Sequence, residues 1–352
     1  MAVYSQPAPE QRDVRCKHSD SLPPLLASLR LTLLLSTYQT GHLVAVCASA
    51  GKLVITFHQF DRAMGIAVKE GTIAVCTRSE VWFLRSVPDI AAKLEPSGLY
   101  DACFLARTSH FTGDIQAHEA AWIGEEFCVV NTRFSCISAL HPYYSFAPRW
   151  RPPFITAYAP EDRCHLNGLA IAAGQPRYVT ALAESDAAQG WRPAKAYSGC
   201  IVAIPTGQIV ARGLSLPHSP RVLGERLYFL QSGSGTLDYL DLTTGRIATV
   251  SSLPGIARGL AIHAGYAFIG LSKARPSLEG VPIVADREKL LCGLSVIDLN
   301  SGLQVAFLEF QTGVDELFDI QVLPGIAFPF ISGPWAERDR GQPFWTIPPM
   351  GK

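Results

Sequence analysis

From residue 40 onward, short apolar runs alternate with clusters of Gly, Pro, Asp and Asn. The runs His42–Cys47, Lys52–Phe57, Gly71–Cys76 and Arg226–Leu230 are five or six residues long. They are rich in β-branched and aromatic side chains, which fit a pleated, half-buried strand. Amphipathic helical patterns of three turns or more are scarce, and residues 86–95 predict one short helix. Upstream, Leu22 to Leu35 is apolar but holds two prolines and Arg30. It is too short to span a bilayer and lacks a clear small-residue cleavage site. Its second half predicts a strand or short helix packed on the domain, preceded by a flexible polar tail over residues 1 to about 20.

A period underlies these strands. One motif recurs: an apolar strand, often with Gly-Leu-Ala or Gly-Ile-Ala, then a short turn and a second apolar strand. It starts at positions 64, 118, 165, 218, 258 and 316, which are 54, 47, 53, 40 and 58 residues apart. A four-stranded propeller blade takes roughly 40–50 residues. The spacing therefore predicts an all-β chain folded as a single β-propeller of six blades, with seven as the alternative. The last blade begins at Glu316 and runs out of strand near residue 333, so the N-terminal strands 42–47 and 52–57 complete it and close the ring. The expected division is a flexible segment over 1–30, the propeller over 31–335 and a tail over 336–352. An irregular β-sandwich is the competing fold.

The first strand of a blade lines the axial channel of a propeller. The loops leading into that strand share one face with the loops between second and third strands. Three motif starts carry a histidine there: His118 beside Glu119, His165 near Asn167, and His218 near Arg221. Arg62, Arg258 and Glu316 occupy the corresponding places in other blades. The loops after the second strands bring Arg133, Ser185 to Arg192, Ser232 to Gly235 and Lys273, and residues 274–290 form a candidate lid. Three imidazole groups would make one face of a divalent metal site, with Fe(II) first and Cu or Zn next. Glu316 or Glu119 would act as a general base or further ligand. Arg62, Arg133, Asn167, Arg221, Arg258 and Lys273 would bind substrate, the arginines by paired hydrogen bonds to a carboxylate or phosphate. The bland reading is structural: histidines satisfied at strand starts, and Arg258 neutralised by Glu316 across the channel. Trp122, Trp150 and Trp191 read as packing residues. Cys164 is set aside as a nucleophile, because strand neighbours point to opposite faces.

Bulk composition narrows the picture. Thirty acidic and thirty basic residues balance, so net charge draws the chain to neither nucleic acid nor an anionic membrane. The nine cysteines are odd in number and form no C-x-x-C pair, which reads as buried thiols in a reducing cytoplasm. No G-x-S-x-G elbow, P-loop, His-Glu-x-x-His helix or dinucleotide fingerprint occurs.

The strings Asn131-Thr-Arg-Phe-Ser-Cys136, Pro148-Arg-Trp-Arg-Pro-Pro-Phe154, Asp162-Arg-Cys-His-Leu-Asn-Gly-Leu-Ala170 and Pro217-His-Ser-Pro-Arg221 occur in order. Arg258-Gly-Leu-Ala261 and Gly270-Leu-Ser-Lys273 follow them. Over about residues 40 to 330 the chain resembles a bacterial family of conserved hypothetical proteins built on a domain of unknown function. Some members carry tetratricopeptide repeats. The resemblance implies a bacterial, soluble protein with a tetratricopeptide-repeat partner, and it implies no activity.

The expected function is a metal-dependent enzyme acting on a small anionic molecule or peptide, first as an oxygenase or oxidase. A metal-assisted hydrolase or lyase is the nearest rival. A non-catalytic propeller that binds a protein or peptide is the alternative from another class.

Overall fold

Along the strand Leu31–Thr37, Leu33 and Leu35 point to one side and Leu34 to the other, and every residue is buried. A strand apolar on both faces must be covered twice, which a radial stack of sheets achieves. That arrangement recurs throughout the computed structural model, which describes residues 13–275, 278–339, 341–342 and 344–345. Six antiparallel sheets stand as blades around an axis. One apolar cluster fills each gap between neighbours.

The inner strands are Ile66–Lys69, Ala117–Ile123, Leu166–Ala172, Pro217–Leu223, Ile256–His263 and Asp319–Pro324, in blades 1 to 6. Each touches the next, and the sixth touches the first. Blade 6 is the closure. Its inner strand Asp319–Pro324 pairs with Leu31–Thr37, which is followed outward by His42–Ser49 and Lys52–Gln59. The expected six blades and the closure by N-terminal strands are both present.

Residues 13–30 differ from the expected flexible segment, whose residues 1–12 lie outside the described residues. Arg15–His18 pairs with Gln304–Thr312 at the outer edge of blade 5, and helix Leu22–Leu29 buries Leu22 and Leu26 in the cluster between blades 5 and 6. An exposed outer edge offers unpaired backbone groups, and backbone pairing needs no apolar pattern. Hence a polar sequence gave no sign of that strand. At the other end Pro329–Ser332 runs parallel to Ala102–Phe111 on the outer edge of blade 1. Pro88–Ala91 supplies the short helix expected near residue 90.

Serine and threonine hydroxyls stitch the blades. Ser36, Thr132, Ser232 and Ser272 lie at the ends of second strands. Each donates its hydroxyl proton to a carbonyl where the next blade begins: Met64 O at 2.5 Å, Leu166 O at 2.5 Å, Ala257 O at 2.5 Å and Leu317 O at 3.0 Å. All four donors are buried, so each bond satisfies a carbonyl that water cannot reach.

Candidate functional site

The loops leading into the inner strands and those between second and third strands do meet on one face. They enclose a cavity of about 330 Å³ at the end of the axis. His118, His165 and His218 all line it, with Asp162, Trp191, Arg192, Arg258, Lys273, Arg275, Tyr38 and Phe318.

His118 and His218 are the second residues of their strands and are held alike. The Nδ1 of His118 meets the carbonyl of Gln116 at 3.0 Å and the hydroxyl of Thr132 at 2.8 Å. The Nδ1 of His218 meets the carbonyl of Leu216 at 2.9 Å and the hydroxyl of Ser232 at 2.9 Å. Gln116 and Leu216 both take left-handed backbone angles, at φ 53° and 51°, that aim these carbonyls. Each hydroxyl has already given its proton to the next blade, so it can only accept. The proton therefore sits on Nδ1, and Nε2 carries the lone pair. Among the described residues neither Nε2 has a hydrogen-bond partner, and neither is among the buried atoms left without one. Burial pushes both imidazole pKa values well below the ordinary range. The neighbouring His165 adds to this at His118, and Arg258 adds to it at both. Both rings are neutral at pH 7.

His165 departs from the expected equivalence. It precedes its strand by one residue, at φ 50°, and its Nδ1 lies 2.9 and 3.0 Å from the two oxygens of Asp162. Leu182 follows the second strand of blade 3 where Thr132 and Ser232 follow theirs, so no hydroxyl is available there. Asp162 takes that role and also accepts a bond from the indole Nε1 of Trp191 at 3.0 Å. The indole stacks on His165 with ring centroids 4.3 Å apart, so Trp191 packs the core and forms the cavity wall together. His118 meets His165 edge to face at 4.8 Å.

Among the described residues no group of three or more His, Cys, Asp or Glu side chains is arranged to hold a metal ion. The three histidines share the cavity.

The cationic side of the cavity belongs to blade 5, backed by Glu316 and Phe318 at the start of blade 6. Arg258 lies 3.8 Å over the Phe318 ring and 3.5 Å from the Glu316 carboxylate, which Arg275 also contacts. Glu316 is only 3% exposed and lies behind the cavity lining. Burial lowers the pKa of each arginine to about 10, and for Arg275 the adjacent Arg258 contributes, yet both remain charged at neutral pH. Two cations against one carboxylate leave a net positive wall. Arg192 stacks over Trp191 with its Nε on the Gln189 side chain, and Lys273 pairs with Asp315.

The remaining expected residues fall elsewhere. Glu119 pairs with Arg221 and accepts from the Leu169 backbone at 2.8 Å, below the cavity. Asn167 accepts from Thr180 at 2.6 Å. Arg133 pairs with Asp114, and exposed Arg62 reaches the Tyr38 hydroxyl. None of these five lines the cavity. Cys164 is buried, and burial pushes its thiol up to about 12. The loop expected to be a lid packs Leu278, Val281, Ile283 and Val284 against Leu182, Trp191 and Leu216; its residues 276–277 lie outside the described residues. Sequence reasoning missed Tyr38, and it placed Arg275 in a loop of this face without a role. Asp162 stood in view only within the string Asp162 to Ala170.

A family model described as a domain of unknown function (DUF4915) matches residues 20–332. No curated protein matches the chain. Among solved structures, one chain from a nidogen–laminin complex is similar at 10% identity and a TM-score of 0.53, covering 84% of this chain and 99% of that one. This likeness shows the fold alone. The computationally designed protein Ika8 aligns at 12% identity and a TM-score of 0.37, over 82% of this chain and 78% of its own, a level that carries no argument.

Proposed function

The chain belongs to the DUF4915 family, and we propose that it is an enzyme whose axial cavity holds a small anionic substrate for acid–base chemistry. One observation carries this reading: the His165–Asp162 pair opens onto the same cavity as Arg258 and Arg275. A carboxylate on Nδ1 fixes the imidazole tautomer and stabilises the imidazolium formed when Nε2 takes a proton. The two arginines hold the negative group of the substrate. His118 and His218, kept neutral by burial, accept hydrogen bonds instead of competing for the proton.

Inorganic phosphate is the first probe. It is expected to raise the melting temperature of the wild type, and to do so much less in Arg275→Met, whose side chain sits on a loop and can change without disturbing a blade. Carbethoxylation of His165, read by peptide mapping, is expected to slow when phosphate is bound. Phosphate binding without protection would make the cavity a binding site only. Stoichiometric Fe, Cu or Zn in protein purified without an affinity tag, lost in His165→Ala, would assign the imidazoles to a metal and overturn the base role.

The setting is also a proposal. All nine cysteines are free and eight are buried, which supports a reducing compartment such as the bacterial cytoplasm that the sequence resemblance suggests. No helix among the described residues is long and apolar enough to cross a membrane.

A further inference from the structure

The cavity has two unlike walls, and a ligand that fills it must match both. Blade 5 presents Arg258 and Arg275, which seek negative charge. Blades 2 to 4 present three imidazoles whose Nδ1 atoms are engaged by protein groups. At His118 and His218 the hydroxyl of Thr132 or Ser232 can only accept, so Nε2 can only accept as well. At His165 the Asp162 carboxylate favours the same tautomer. Three acceptors gathered on one wall call for hydrogen-bond donors on the ligand.

We infer that the ligand is a small polyhydroxylated anion of the sugar-acid or sugar-phosphate class, its charge toward Arg258 and Arg275 and its hydroxyl groups toward the histidines. This rests on the anion-binding reading above. An ammonium donor fits less well, because the two buried arginines already repel positive charge in this cavity. Hydroxyl groups supply donors without added charge. Between the walls Trp191, Phe318 and Tyr38 add apolar lining for the carbon chain of a sugar. The volume of about 330 Å³ lies at the low end for small-molecule pockets, roughly 300–1,000 Å³, and suits a single small unit.

Calorimetry with four probes tests the match: gluconate, glucose 6-phosphate, hexanoate and sorbitol. Hexanoate has the charge without hydroxyl groups, and sorbitol has hydroxyl groups without charge. At least one of the first two is expected to bind tenfold or more tighter than either control, and which one does so separates a carboxylate from a phosphate ligand. In His118→Phe and His218→Phe that advantage is expected to shrink toward the affinity of hexanoate. Nitrogen-15 shifts of the wild-type imidazoles read the same contact without a variant: the Nε2 signals are expected to move on binding and the Nδ1 signals to stay. Hexanoate binding as tightly as gluconate and glucose 6-phosphate would overturn the requirement for donors and leave the anion site standing. Failure of all three anions, with inorganic phosphate also inert, would overturn the anion site itself. Selective binding with unmoved Nε2 signals would remove the histidines from recognition.

Discussion

Two buried charge clusters share the channel, and their compositions are inverted. The upper one sets two arginines, Arg258 and Arg275, against the single carboxylate of Glu316. The lower one sets Arg221 against two carboxylates, Glu119 and Asp319. The upper cluster opens to a cavity, so its surplus charge can be met by a ligand. The lower cluster does not line that cavity, and groups of the protein meet its surplus. Asp319 accepts from the Ile66 and Ile320 backbones at 2.8 Å each, and Glu119 accepts from Leu169. Burial raises the pKa of both carboxyls, Glu119 to about 7, even with Arg221 pulling the other way. The same side-chain chemistry serves recognition where water and solutes enter, and cohesion where they do not.

Arg221→Met should break this comparison most sharply. It leaves two buried carboxyls without their cation, and removing one partner of a buried pair costs about 3–5 kcal/mol. Denaturant unfolding measures the loss. The matching change at the cavity, Arg275→Met, is expected to lose far less stability and to lose phosphate binding instead. Equal stability losses would erase the distinction between the clusters.

A pH series gives the next effect. The Glu119 carboxyl holds its proton more tightly in the fold than in the unfolded chain, where the ordinary value is 4.5. The folded state binds more protons between that value and about 7, so stability falls as pH rises through this window. Asp319 acts in the same direction. In Glu119→Gln, unfolding measured from pH 4.5 to 8 is expected to show a flatter slope. An unchanged slope would place the shared proton elsewhere.

Smaller still are the hydroxyl stitches. Thr132→Val and Ser232→Ala each strand one buried carbonyl, a loss of about 1–3 kcal/mol. They also leave the Nδ1 proton of His118 or His218 to the Gln116 or Leu216 carbonyl without the hydroxyl, so imidazole nitrogen-15 shifts are expected to keep the Nδ1-protonated pattern. Least of all, Lys69→Met removes an ion pair with nearly fully exposed Glu125 and should change stability by about 1 kcal/mol or less.

Much of the architecture was legible because strand period and blade period are both written in the order of side chains. Motif starts at 64, 118, 165, 218, 258 and 316 fall on the six blades in sequence, and the loops that share a face follow from that alone. The individual roles were less legible. His165 resembles His118 and His218 in the chain, but its two-residue offset and its Asp162 partner depend on backbone angles that residue identity does not fix. Glu119 and Arg221 stand beside histidines in sequence, yet strand alternation and a left-handed Ser219 turn them into the channel below the cavity. Arg15–His18 was silent because its contribution is backbone pairing. Arg275 reaches Glu316 from a loop whose length gives no hint of direction.

The hydroxyl stitches tie part of the histidine wall to the closure of the ring. Thr132 can fix the tautomer of His118 only while its own proton is committed to blade 3, and Ser232 can do so for His218 only while blade 5 is in place. A slipped or half-closed ring frees both hydroxyl protons and leaves the Nδ1 protons to the carbonyls of Gln116 and Leu216 without that second support. The hydrogen-bond pattern of the histidine wall is thus complete only when the ring is closed.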